Sequence, residues 1–240
     1  MRLLVSVVDP EEAQMAFAAG VDILDVKNPA EGSLGAPSPE TVRRIRAVTP
    51  PHVPLSVALG DLPNLPGTAA LAAYGAARLG ATYVKVGLWG VSTESEALTL
   101  LEAVRSACAE FPDVRVIACG YADADRLPHR PLAPLRLPAV ARAAGVHGCM
   151  LDTALKDGRR LWDFLSETDL RAFVEAAHRA GLLVALAGSL RAEDLPRVRD
   201  LGADVVGVRS AACRGGHRSG PLDVERLQRL RALLPSRRDE

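Results

Sequence analysis

Short apolar runs alternate with amphipathic stretches from one end of the chain to the other, and the alternation can be counted. Strands of a parallel sheet covered on both faces read as nearly continuous hydrophobic runs, whereas a helix shows a 3.6-residue period. Strand-like runs fall at 3–7, 23–26, 55–59, 83–86, 114–118, 148–151, 183–186 and 205–208. Helical patterns lie between them. The first is opened by Asp9-Pro10-Glu11-Glu12 and ends near Gly20, and the second starts at Ser38-Pro39, an N-cap followed by a proline at the first helical position. Others cover 68–78, 92–109, 135–144, 167–180, 192–201 and 224–234. A glycine stop recurs before several strands, as in Ala19-Gly20-Val21-Asp22, Leu79-Gly80-Ala81-Thr82, Ala144-Gly145-Val146-His147 and Leu201-Gly202-Ala203-Asp204. Eight like β/α units predict an α/β protein built as a single (β/α)8 TIM barrel over residues 1–235, with a charged tail at 236–240 expected to fray. The proline-containing stretch from Tyr121 to Pro134 reads as a long loop over the barrel mouth.

Composition narrows the function. The chain has 240 residues, with 29 basic and 29 acidic side chains that cancel, so no global field favours nucleic acid or a membrane surface. No apolar run reaches the ~20 residues of a membrane span, and no signal peptide opens the chain, so a cytoplasmic protein is expected. Cys108, Cys119, Cys149 and Cys213 occur singly, and the five histidines lack ligand spacing, so neither a disulfide framework nor a metal site is expected.

The basic residues divide unevenly, into 26 arginines and three lysines, Lys27, Lys85 and Lys156. Arginine replaces lysine as a solvated cation but cannot replace an amine that must lose its proton. All three lysines fall at the ends of strands or in the loops after them, on alternate strands 2, 4 and 6, which feed one layer of a barrel interior and place side chains at its active-site end. Crowded, buried ammonium groups lower one another's pKa, so one can be a neutral nucleophile that forms a Schiff base with a carbonyl. Asp25, two residues before Lys27, shares its face on the strand, and Asp152 follows strand 6. Asp123, after strand 5, is a weaker candidate, and Asp61 in Gly60-Asp61-Leu62-Pro63 reads as a turn residue. Gly188 and Ser189 after strand 7, with Gly207 and Arg209 at strand 8, suggest the phosphate grip that barrels build from these two loops. The loop Glu31-Gly32-Ser33-Leu34-Gly35 offers a second small-residue turn for an anion.

Asp25-Val26-Lys27-Asn28-Pro29 with Glu31-Gly32-Ser33-Leu34-Gly35, and Tyr83-Val84-Lys85-Val86-Gly87-Leu88, resemble the (5-formylfuran-3-yl)methyl phosphate synthases, also called 4-(hydroxymethyl)-2-furancarboxaldehyde-phosphate synthases. The likeness continues through Gly120-Tyr121-Ala122-Asp123-Ala124, Met150-Leu151-Asp152-Thr153-Ala154, Lys156-Asp157-Gly158, Ala185-Leu186-Ala187-Gly188-Ser189 and Gly207-Val208-Arg209. The resemblance implies a carbon-oxygen lyase acting on phosphates, in methanofuran biosynthesis, that condenses two glyceraldehyde 3-phosphates with loss of phosphate and water and needs no cofactor. It implies that Lys27 is the Schiff-base lysine and Lys85 the proton-transferring one, with Asp25, Asp152 and Lys156 in support. The segment 126–134 is longer and richer in proline than the family pattern, and Ser210 stands where glycine is expected. Another Schiff-base aldolase acting on a sugar phosphate, and a non-enzymatic sugar-phosphate-binding barrel, are the alternatives. A homo-oligomer assembled through helix faces is expected.

Overall fold

The computed structural model describes residues 1–234, and the expected tail at 236–240 lies outside the described residues. Eight parallel strands pair in chain order and close into a barrel: β1 (Arg2–Val7), β2 (Ile23–Val26), β3 (Leu55–Pro63), β4 (Tyr83–Gly90), β5 (Arg115–Tyr121), β6 (Gly148–Asp152), β7 (Leu183–Leu186) and β8 (Val205–Val208). The helices α1 (Pro10–Ala18), α2 (Pro39–Val48), α3 (Pro66–Arg78), α4 (Glu94–Ala107), α5 (Leu137–Ala143), α6 (Glu167–Arg179), α7 (Leu195–Asp200) and α8 (Val224–Ala232) follow the strands in turn. Among the described residues no helix is long and apolar enough to cross a membrane.

The predicted caps act as read: Asp9 accepts from the N–H of Glu12, and Ser38 from that of Thr41. Two of the helical patterns open as 3-10 turns rather than as regular helix. The stretches 135–144 and 192–201 each begin with a 3-10 turn, Pro134–Arg136 and Ala192–Asp194, before α5 and α7. Pro138 and Pro196 lack the N–H that a helix interior needs, so each sits in the first turn and the regular helix starts at its doorstep. In the other direction, β3 runs four residues past the predicted end. Its register shifts around Asp61, and Gly60 has φ +114°, so the expected turn at 60–63 is an irregular continuation of the strand.

Strand periodicity explains how the site is raised. On β2, Leu24 and Val26 face the helices, in the same layer as Val84, Val86, Cys149 and Leu151. The inward positions begin with a separate apolar plug that includes Leu4, Ile23, Tyr83, Ile117 and Met150. One inward step higher, at a spacing of two residues, come Ser6 above Leu4, Asp25 above Ile23, Lys85 above Tyr83 and Asp152 above Met150. The plug is a dry floor, each fully buried large side chain contributing about 1.5–3 kcal/mol, and the layer above it carries the ionisable groups.

Candidate active site

A cavity of about 820 Å3 opens at the C-terminal ends of the strands, with Ser6, Asp25, Lys27, Asp152, Lys156 and Gly188 among its lining. Asp25 and Lys27 stand side by side on the inward face of β2 and its continuation. The Asp25 carboxylate is wholly buried and accepts three hydrogen bonds, from Ser6 Oγ (3.0 Å), Ser56 Oγ (2.8 Å) and Lys85 Nζ (2.8 Å), whose ammonium also lies 2.7 Å from the other carboxylate oxygen. Burial alone would raise its pKa, but the charges of Lys85 and Lys27 outweigh that and hold it below the usual carboxylate value. The same pair works on Lys85. Burial favours its neutral form, yet Asp25 overrides burial and the amine stays charged, its pKa raised. Lys85 lies behind Asp25 and outside the cavity lining.

Asp152 ends β6 and holds Lys156 Nζ at 2.7 Å, with a further bond from the N–H of Thr153 at 2.7 Å. Burial again opposes ionisation, and the charges of Lys156 and Lys27 bring the pKa down to about 2. Two carboxylates are thus matched to two ammonium groups. Lys27 is left with a backbone carbonyl, Ser33 O at 3.3 Å, and no carboxylate within ion-pair distance among the described residues. Burial lowers its pKa to about 8, helped by the charges of Lys85 and Lys156 against the pull of Asp152 and Asp25. With Lys27 neutral the five groups sum to zero charge, the cheapest state for a buried cluster.

Loop packing fixes the amine. Ser33 Oγ donates to Thr153 O at 2.8 Å, tying the loop after β2 to the loop that carries Lys156. Asp61 accepts from the N–H groups of Ser33 (2.8 Å) and Leu34 (3.3 Å) and from Tyr121 Oη (2.5 Å). Leu34, fully buried, joins the barrel-interior apolar cluster. Gly32 is obligatory here: its φ is +139°, and a Cβ would lie 2.1 Å from Asp61 Oδ2.

Gly188, Ser189 and Gly207 line the cavity. Ser189 has φ +51°, a left-handed conformation uncommon outside glycine, beside Gly188 at +113°. The N–H groups of Gly188, Ser189, Ser210 and Ala211 have no protein acceptor among the described residues, which leaves them for an anion. Arg209, expected to grip phosphate, is turned to another use. Its guanidinium pairs with Glu12 and donates to Ser6 O (3.0 Å), Arg218 O (2.9 Å) and Gly220 O (2.9 Å). The buried carboxylate of Glu12 engages it through both oxygens. Asp123 also serves the scaffold, accepting from the N–H groups of Ala154 (2.7 Å) and Leu155 (2.8 Å) and so shaping the turn between Asp152 and Lys156. The segment after Tyr121 is fastened to the end of β4, through Leu132 N to Val91 O (2.7 Å) and His129 against Trp89, and lines none of this cavity.

Sequence reasoning missed Ser6, Ser56, Tyr121 and Arg218, and reduced Asp61 to a turn residue. The signal for the two serines was a polar residue at an inward strand position. All four cysteines are buried, and burial pushes the Cys119 thiol, within reach of the Lys85 charge, up to about 12. No cluster of His, Cys, Asp and Glu among the described residues could hold a metal ion.

The family described as 4-HFC-P synthase matches residues 3–231. The (5-formylfuran-3-yl)methyl phosphate synthase of Methanopyrus kandleri is 53% identical over 235 residues, covering 97% of this chain and 98% of that one. The synthase of the same name from Methanocaldococcus jannaschii is 49% identical over 97% of this chain and 99% of its own. Among solved structures, phosphoribosyl anthranilate isomerase from Thermus thermophilus superposes with a TM-score of 0.61 at 21% identity, covering 97% of this chain and 98% of that one, a likeness of barrel fold. The near full-length match in sequence, together with the lysines and carboxylates gathered in one cavity, shows that the chain belongs to the (5-formylfuran-3-yl)methyl phosphate synthase family.

Proposed function

We propose that the protein condenses two molecules of glyceraldehyde 3-phosphate into (5-formylfuran-3-yl)methyl phosphate, with loss of phosphate and water, as a step of methanofuran biosynthesis in the cytoplasm. The single observation that carries the mechanism is the isolation of Lys27. Of three buried or half-buried amines it alone has no carboxylate partner among the described residues, and burial brings its pKa down to about 8. A neutral amine at the cavity wall attacks a triose carbonyl, and loss of water gives an iminium that draws electrons from the adjacent C–H.

Asp25 is the group placed to take that proton, because it lines the cavity beside Lys27. Lys85 acts through it: the ammonium behind Asp25 keeps the carboxylate ionised between turnovers and can pass a proton forward along the 2.7 Å contact. The enamine then attacks the aldehyde of the second triose, and dehydration, elimination of phosphate and ring closure yield the furan. Lys156 and Asp152, paired at the opposite strand end, hold charge in balance and face the same space. The free N–H groups after β7 and β8 bind the phosphate of the first triose.

Borohydride added to enzyme and glyceraldehyde 3-phosphate traps an imine as a stable secondary amine. Peptide mass mapping is expected to find the adduct on Lys27, and an adduct on Lys85 or Lys156 in its place would sink the assignment. Furan absorbance with phosphate release in the untreated reaction separates this synthase from a simple aldolase.

A further inference from the structure

We propose that Arg218 forms a second anion subsite, between the loop after β8 and the loop after β2, which takes the phosphate of the second triose. The inference rests on the functional reading above and adds the group that makes room for the second substrate.

Each triose phosphate brings a dianion, and one of them is accommodated by the backbone N–H groups of Gly188, Ser189, Ser210 and Ala211. A second dianion in the same cavity is repelled unless a cation meets it. Lys27 is neutral when it reacts, Lys85 and Lys156 are matched to Asp25 and Asp152, and Arg209 is matched to Glu12. The charged cluster therefore has nothing left to give. Arg218 lines the cavity, is half-buried, and forms no ion pair among the described residues. Asp152 and Asp61 are the carboxylates close enough to act on its charge, and neither is within ion-pair distance.

Its position is set on both sides. One guanidinium N–H donates to Gly32 O at 2.7 Å, next to the Ser33 carbonyl that holds Lys27. Its own backbone carbonyl accepts from Arg209 Nε at 2.9 Å, and Gly220 O two residues on accepts from Arg209 Nη2. The buried Arg209–Glu12 pair is thus a bracket that presents Arg218 to the cavity. A guanidinium carries five donors in a plane, so one contact with Gly32 leaves a fork free for phosphate oxygens. Arg191, Arg226 and Arg229 also reach the cavity rim, but all three are exposed, where water surrounds them, and Arg191 already meets Glu193.

The test compares wild-type enzyme with Arg218→Gln and Arg218→Lys. Calorimetric titration with inorganic phosphate is expected to give two sites per chain in the wild type and one in Arg218→Gln. With glyceraldehyde 3-phosphate, borohydride trapping on Lys27 should persist in Arg218→Gln, while KM for furan formation rises about tenfold to a hundredfold, the worth of a charge-assisted hydrogen bond. Arg218→Lys should recover part of that loss. Unchanged phosphate stoichiometry and KM in Arg218→Gln would overturn the subsite, and so would loss of trapping together with turnover, which would assign Arg218 to the first triose. Two phosphates on a wild type that traps no triose would refute the functional reading while leaving the anion subsite standing.

Discussion

Replacing Asp25 by asparagine keeps the shape of the side chain and removes its charge, which makes it a direct probe of the buried pair with Lys85. The two side chains are 1% and 2% exposed, so solvent does not screen the loss. Removing one partner of a buried ion pair leaves an uncompensated charge and costs about 3–5 kcal/mol. In urea unfolding at pH 7 the Asp25→Asn enzyme should be less stable by that amount, with a melting temperature roughly 6–20 °C lower for a chain of this size. The sign with pH is fixed as well. In the wild type the folded pKa of Lys85 is raised, so its contribution is complete below the unfolded value near 10.5 and fades only above it. In Asp25→Asn burial, the largest influence on Lys85, is opposed mainly by the more distant Asp152 and depresses the folded pKa, so stability climbs as pH rises from 7 toward 10 and the gap between the two proteins narrows. Adding Lys85→Met removes the stranded charge, and the double variant should regain much of the loss. A gap that does not change with pH, or a double variant no more stable than Asp25→Asn, would refute the account of the pair.

Imine formation should follow the neutral fraction of Lys27. The rate of borohydride-trapped adduct at low triose concentration is expected to rise with pH and level off above about 8, and in Lys156→Met the rise should move to higher pH because a cation that depresses Lys27 is gone. Glu12→Gln strands the buried Arg209 guanidinium and loosens the 214–220 loop, so limited proteolysis should cut that loop at least about tenfold faster than in the wild type, with the barrel circular dichroism retained.

The barrel was legible because its units repeat: eight apolar runs, helix caps and glycine stops are local signals, and each strand core fell where its run predicted. The lysines were legible from scarcity, since an amine among so many arginines asks for a reason. What stayed hidden depends on contacts between distant segments. Arg209 sits at the strand end where a phosphate ligand belongs, but its partner Glu12 is 197 positions away on α1, and no local pattern announces that pairing. Arg218 lies in the glycine-rich stretch 214–220, outside every predicted element, and only the fold brings it to Gly32. Asp61 looked like a turn residue because Gly60 and Pro63 flank it, and the irregular register of β3 makes it the clamp on the Lys27 loop. The roles expected for the three lysines came from the family resemblance, and what the geometry adds is the pairing: Lys85 meets Asp25, Lys156 meets Asp152, and Lys27 meets no carboxylate within ion-pair distance among the described residues.

The Arg209–Glu12 bracket has a consequence for how the molecule is made. Glu12 belongs to the first helix, and it also accepts from the backbone of Leu222, 210 positions later. A (β/α)8 barrel has one seam, where its last strand meets its first, and here that seam is fastened at the active-site end. Contacts of such long sequence separation are slow to form, because the whole intervening chain must be ordered first. During synthesis, Lys27, Lys85 and Lys156 are all present well before Arg209 leaves the ribosome. A nascent or truncated chain therefore carries all three lysines without the closed ring that buries them, and Lys27 keeps the ordinary basicity of a solvated lysine until the seam is shut.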